Sequence, residues 1–208
     1  AQVSPLISGG TTITNIVCAV ASEADEVCDT VDVTVTAPPP SNDAGEDIGT
    51  PGFWCNQIKR AMDCADTPDA LCAPNQKFTY NQVVAWLAAI DRFSRVFDEL
   101  GRASTIGDAN ALICDANVNT ARDKLQRHLL TLWFNLVSHQ INAGATLASL
   151  CPGPAALPSG ADSSWTVAFV MVSAENALLA ADADDVTLLF WKDVIDFINN
   201  AQNPAFCS

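Results

Sequence analysis

Residues 79–101, TYNQVVAWLAAIDRFSRVFDELG, decide the fold class. Thr79 and Gln82 stand three positions apart, the spacing at which a threonine hydroxyl and a glutamine amide satisfy each other's backbone N–H groups at a helix start. After them, Val83, Trp86, Leu87, Ile90, Phe93, Phe97 and Leu100 recur every three or four residues. That period places them in one stripe, and Gly101 supplies a stop. A single amphipathic helix must bury its stripe against neighbours, so further helices are expected on both sides.

Towards the C-terminus, a helix is predicted from about Thr120 to Ala143, with Leu125, Leu129, Leu132, Trp133, Leu136, Val137 and Ile141 apolar. Its apolar arc is wide, which puts it at the centre of a bundle. After a Pro/Gly loop from Pro152 to Gly160, helices follow at Ser164–Ala181 and Asp184–Asn200, the last carrying Phe190, Trp191, Val194, Ile195 and Ile198. Towards the N-terminus, Thr50 caps a helix that has Pro51 at its first position and runs through Phe53, Trp54, Ile58 and Met62. A loop from Cys64 to Lys77 separates it from the starting stretch. The count is five helices, with no internal repeat.

Ahead of the helices the period changes. TTITNIVCAV (11–20) and VCDTVDVTVT (27–36) are rich in β-branched residues, and Ser22 to Glu26 supplies a turn. Folding the pair about Glu23 sets Cys18 opposite Cys28, which predicts a cross-strand disulfide. The same register gathers Ile13, Val17, Ala19, Val27, Val31 and Val33 on one face and Thr12, Thr14, Thr30, Asp32 and Thr34 on the other. A two-stranded ribbon is marginal alone, so this apolar face needs a cover, either the helical part of the same chain or another subunit. The expected organisation is a β-hairpin arm at 1–37, a Pro-rich linker at 38–50 and a helical domain at 51–208. The fold class is therefore mainly α: a five-helix, disulfide-stapled bundle with an N-terminal β-hairpin arm, α+β overall.

Charge narrows the partners. Asp and Glu number 24 against 10 Lys and Arg, a formal net charge of −14. Nucleic-acid phosphates and anionic membrane surfaces are repelled by such a chain. The greasiest windows, Leu125–Val137 and Val186–Ile198, are interrupted by His128, Lys192 and Asp193, so no membrane span is expected. Nor is there a charged segment followed by an apolar one at the start, so any secretion signal is expected to have been removed from this numbering.

Cys18, Cys28, Cys55, Cys64, Cys72, Cys114, Cys151 and Cys207 are scattered with no Cys-x-x-Cys pair. That spacing argues against zinc ribbons, thioredoxin chemistry and c-type haem, and an even number of cysteines suits an oxidising compartment. Beyond Cys18–Cys28, a local Cys64–Cys72 loop and a Cys151–Cys207 tie are expected, which leaves Cys55–Cys114.

Thr50-Pro51-Gly52-Phe53-Trp54-Cys55-Asn56 resembles the Thr-Pro-Gly-Tyr-Trp-Lys-Asn-His opening of a helical domain found in secreted and surface-anchored bacterial and archaeal proteins. Leu129–Ser138, Ala174-Glu175-Asn176-Ala177-Leu178-Leu179 and Ile198-Asn199-Asn200 are similar to its later segments, so the resemblance spans about residues 50–200. Residues 10–36 in turn resemble the last two strands of an Ig-like repeat of such surface proteins, which implies a ribbon lacking its partner strands in this chain. Cys55 stands in place of the family's lysine and Gln57 in place of its histidine, so no role passes from that histidine. The family brings no catalytic residues.

Catalytic patterns are sparse. His128 and His139, read as one helix face about 16 Å apart by helical rise, are too distant to share a metal. No Gly-x-Ser-x-Gly occurs. Asp182, Asp184, Asp185, Asp193 and Asp196 read as capping and solvating the last helix. Calcium is the one metal left open: Asp43, Glu46 and Asp47 share a Gly-containing loop, though without EF-hand spacing. No cofactor is expected. Trp54, Trp86, Trp133, Trp165 and Trp191 all fall at predicted helical positions and read as core more than as a carbohydrate platform.

A ribbon with an apolar face and open edges fits strand addition to a neighbouring molecule, and a head-to-tail contact of that kind need not close. The expected function is a secreted structural subunit of an extracellular filament or cell-surface assembly, self-associating through its N-terminal segment and not an enzyme. The alternative is a monomeric adhesin or binding module. A secreted hydrolase, which would need two facing carboxylates, ranks below both.

Overall fold

The computed structural model describes the backbone of residues 12–19 and 27–34, and in full residues 48–97, 106–115, 118–151 and 157–201. Two strands, β1 (Thr12–Ala19) and β2 (Val27–Thr34), precede seven helices among the described residues: α1 (Pro51–Asp63), α2 (Tyr80–Phe93), α3 (Ile106–Cys114), α4 (Ala121–Val137), α5 (Leu147–Leu150), α6 (Val167–Leu179) and α7 (Asp185–Asn199). The protein is mainly helical.

β1 and β2 pair antiparallel, with Cys18 across from Cys28. The register also sets Asn15 against Val31 and Val17 against Asp29. Two polar positions thus fall within the set expected to be uniformly apolar, because a period of two carries them there. The turn about Glu23, the linker 38–47 and the side chains of Ile13, Val17, Ala19, Val27, Val31 and Val33 lie outside the described residues, as does the Cys18–Cys28 bond.

The helix starts are chemically alike. Thr50 Oγ1 accepts from Phe53 N, Thr166 Oγ1 from Phe169 N and Asp184 Oδ1 from Thr187 N, at 3.2, 3.2 and 2.7 Å. Thr79 and Gln82 form the expected reciprocal box, and Thr120 with Asp123 forms a second. Each occupies N–H groups that the helix itself leaves unpaired.

α4 is the central element. Every residue from Leu129 to Val137 is buried, and α1, α2, α3, α6 and α7 all pack against it. Its wide apolar arc follows from having neighbours all round. Arg122 near its start donates to Leu178 O and Ala180 O, neutralising carbonyls left over at the end of α6.

Several helices differ from expectation, and each difference has a local cause. The count is seven among the described residues, not five, because α3 and the one-turn α5 have no long stripe to announce them. α2 stops at Phe93 rather than Gly101: Ser94 turns extended (φ −80°, ψ 142°) and its hydroxyl donates to Glu175 on α6 at 2.6 Å. Phe97 is buried all the same, reached by a bend instead of a helical turn. α4 ends at Val137, with His139 in the left-handed region (φ 63°), so the two histidines do not share a helix. Trp165 precedes α6 and is not helical.

Two disulfides close this arrangement. Cys55 in α1 is joined to Cys114 at the end of α3, and Cys64 to Cys72 across the loop after α1, with Cα separations of 5.1 and 5.8 Å. These are two of the expected pairings. Cys151 is also disulfide-bonded; its expected partner, Cys207, lies outside the described residues.

The loops before α5 and α6 hold each other. Asn142 Oδ1 accepts from Gly144 N and Asp162 Oδ1 from Ser164 N, both at 2.8 Å, and Thr146 pairs with Thr166 in an antiparallel bridge. Leu147 N donates to Trp165 O and Val167 N to Ala145 O, each at 2.9 Å.

Candidate functional site

The residues that carry the sequence motifs converge in the core on one polar junction. Trp54 Nε1 and Gly49 N both donate to Asn135 Oδ1, at 2.7 and 2.8 Å. Asn135 Nδ2 donates to Gly49 O at 2.9 Å and to Asn199 Oδ1 at 3.0 Å, and Asn199 Nδ2 donates to His128 O at 3.1 Å. Trp54, Asn135 and Asn199 are all buried. One amide thereby ties together the segment before α1, the middle of α4 and the end of α7. The Trp54 indole is stacked between Phe78 and Phe134, with centroids 5.2 and 4.9 Å away. Gly49 is obligatory there, since a Cβ on it would fall 2.3 Å from Trp54 Nε1.

A second junction surrounds Glu175. Its Oε1 accepts from Ser94 Oγ and from Trp133 Nε1, at 2.6 and 3.1 Å, joining α2, α4 and α6. Gln57, which stands where the resembling domains have histidine, is buried: its Oε1 accepts from Lys77 N at 2.7 Å and its Nε2 donates to Asn75 O at 3.2 Å. These motif side chains bind the fold to itself and have no free valence for chemistry.

Lys192, Asp193, Asp196 and Asp184 are likewise engaged. His128 lies among α4 and α7 side chains, with Nδ1 3.4 Å from Asp196 Oδ1 but without hydrogen-bond geometry. Burial lowers its pKa to about 4, against the opposing pull of Asp196, so it is neutral at pH 7. Asp193 and Asp196 each accept from Lys192 Nζ at 3.1 Å. Burial works against that ammonium, but its hydrogen bonds to the two aspartates raise its pKa. Asp184 caps α7, and the Thr187 N–H it accepts holds its carboxyl below the usual range. Among the described residues no three His, Cys, Asp or Glu side chains gather as metal ligands, and no helix is long and apolar enough to cross a membrane. Asp43, Glu46 and Asp47 lie outside the described residues.

What remains is a surface. On the outer side of α6, Phe169, Val172 and Leu179 are 47%, 43% and 48% exposed. Trp165 meets Phe169 with centroids 5.1 Å apart, and Trp191 and Phe190 of α7 continue the aromatic group at 5.6 and 6.2 Å from Trp165. Exposed Asn176, which accepts from Arg95 Nη1 at 2.9 Å, stands between Val172 and Leu179, so the apolar patch is the aromatic group around Trp165, and grouped apolar side chains of this kind mark an interaction surface more often than scattered single ones do. The sequence reading placed Trp165 and Trp191 in the core; both are only half-buried. The run Val167–Leu179 is apolar on nearly every side, which hid the outward stripe from a periodicity reading.

No protein-family model, curated protein or solved structure matches the chain.

Proposed function

We propose that the protein is a structural subunit of an extracellular filament or surface assembly, joined through its N-terminal β segment to a neighbouring subunit. The carrying observation is the two-stranded sheet β1–β2: among the described residues it has no third strand, so each strand has an unpaired edge that can template another. Disulfides in the helical part support an oxidising, extracellular setting. The resemblance of Thr50–Asn56 to the opening of secreted surface domains points the same way, and its tryptophan serves as the fold's anchor. The Ig-like origin of residues 10–36 belongs to the same proposal.

Deletion of residues 1–36 tests the reading. The described core runs from Ile48 to Ala201, so the shortened chain is expected to stay helical and to sediment as a monomer, while the 22.0 kDa intact chain forms larger species. Continued polymerisation of the shortened chain would remove the N-terminal segment as the joint.

The half-buried rings Trp165, Phe169, Phe190 and Trp191 favour a second reading, a monomeric secreted adhesin or binding module that stacks a ligand on them. Quenching or blue-shift of tryptophan fluorescence on titrating soluble glycans, with the protein monomeric throughout, would favour it over the filament.

A further inference from the structure

We propose that the aromatic group around Trp165, edged by the turn Asp162–Ser164, binds an uncharged glycan, an inference that rests on the binding-module reading above and names its ligand class. The floor is one connected set of rings: Trp165 has its centroid 5.1, 6.2 and 5.6 Å from those of Phe169, Phe190 and Trp191, and Phe190 meets Trp191 at 5.0 Å. Phe169 is 47% exposed and the other three are half-buried, so part of the set faces solvent. A turn brings polar groups to its edge. Gly160, in the left-handed region (φ 91°), passes so close to Phe190 that a Cβ on it would lie 3.5 Å from the ring atom Cε2. The chain returns to the same rings at Trp165, whose N–H donates to Asp162 O at 3.0 Å. Between these two contacts Asp162, Ser163 and Ser164 are exposed.

Asp162 Oδ1 accepts from Ser164 N and from Ser164 Oγ, each at 2.8 Å, while Oδ2 has no hydrogen-bond partner among the described residues. The two Ser164 donors hold the carboxyl below its usual range, so it stands ionised at the edge of the rings. Floor and edge match the two sides of a pyranose. Its C–H groups carry the partial positive charge that an aromatic face attracts, and its hydroxyls, costly to desolvate unpaired, donate to a free carboxylate oxygen. An acidic glycan meets the same carboxylate, and the field of a chain with net charge −14, and is repelled. The touching rings, 5.0 to 6.4 Å apart between centroids, also leave no gap in which an ammonium group could be caged.

The test titrates the full chain by calorimetry with three probes: a glucose hexasaccharide, a galacturonate hexasaccharide and a protonated glucosamine hexasaccharide. The glucose oligomer is expected to bind and to shift the tryptophan emission, with the galacturonate oligomer weaker by about tenfold or more. Asp162→Asn keeps an acceptor for Ser164 but removes the charge, so it should weaken the glucose oligomer and narrow the gap to galacturonate. Phe169→Ala, which takes a ring from the floor, should weaken the glucose oligomer by about tenfold. Galacturonate binding as tightly as glucose, or binding confined to the galacturonate or the glucosamine oligomer, overturns the uncharged ligand and leaves the binding-module reading standing. Binding of none of the three, or glucose binding that Phe169→Ala leaves unchanged, removes the rings as a site and that reading with them. Should Phe169→Ala lose its helical circular dichroism, Ser163→Lys, at an exposed position of the turn, is read in its place, with the same loss expected.

Discussion

Trp54 and Asn135 stand 81 positions apart and share a 2.7 Å hydrogen bond from the indole Nε1–H to the amide Oδ1, an oxygen that also accepts from Gly49 N at 2.8 Å. Both donors are out of reach of water, so the amide's loss is not made good by solvent.

Asn135→Ala leaves the Trp54 indole N–H and the Asn199 Oδ1 unpaired in the core, at about 1–3 kcal/mol for each group, while Gly49 N keeps its 3.1 Å bond to Gln140 Oε1. A destabilisation of about 3–5 kcal/mol is expected in urea unfolding. Asn135→Asp, which keeps the acceptor but not the donors to Gly49 O and Asn199 Oδ1, should fall between it and the native chain. Equal stability of all three would show the junction to be energetically idle.

Gly49→Ala drives a methyl into the Trp54 ring from 2.3 Å. Overpacking of this kind costs roughly 1–3 kcal/mol. The melting temperature should drop and the tryptophan emission shift red, since Trp54 is displaced from between Phe78 and Phe134. An unchanged spectrum would mean that the segment before α1 moves aside freely.

The two described disulfides span 59 and 8 residues of sequence. On the chain-entropy account, loops of these lengths contribute about 4 and about 2.5 kcal/mol. Replacing Cys55 and Cys114 together with serine should therefore destabilise the protein more than replacing Cys64 and Cys72. Denaturant midpoints of the two double variants check the order, and a reversed order would point to loop-local packing, such as the Gln76 contacts with Cys72 N and Ala73 N at 2.9 and 3.0 Å, as the larger factor.

His128 titrates at about 4 in the folded chain against 6.5 for an ordinary histidine. The folded pKa is the lower one, so as pH falls the unfolded chain takes up the proton first. Stability is complete above about pH 6.5 and declines down to about pH 4, by about 3 kcal/mol in total. His128→Gln should flatten that decline. Unfolding free energies of both chains at pH 7, 6 and 5 provide the check, and parallel slopes would show that His128 is protonated equally in both states.

Local rules were legible wherever the residues acting on a segment lie within it. Thr50 with Pro51 and Thr79 with Gln82 announce α1 and α2 because caps are made by residues three positions apart. The same rules fail where a distant residue decides. The stripe of α2 runs on to Phe97 and Leu100, but the hydroxyl of Ser94 is drawn to Glu175, 81 positions away, and the helix gives way to that contact. α4 yields to the Asn135 carbonyl, which accepts from Gln140 N and Ile141 N at 2.9 and 3.2 Å once His139 has turned left-handed.

The candidate surface was hidden for a different reason. α6 is so rich in Val, Ala, Leu and Met that its buried and outward sides read alike, and only the packing of α4 and α7 against it separates them. The polar junction was half visible: Trp54, Asn135, Glu175 and Asn199 all fell within quoted motifs, but nothing in their spacing tells that the first, second and fourth meet at one amide while the third serves another tryptophan.

The Thr146–Thr166 bridge has an architectural corollary. Because Thr146 and Thr166 are clamped together immediately before α5 and α6, the place where α6 starts is set by the bridge itself. A foreign epitope spliced in after Cys151 is then expected to leave the trajectory of α6 undisturbed.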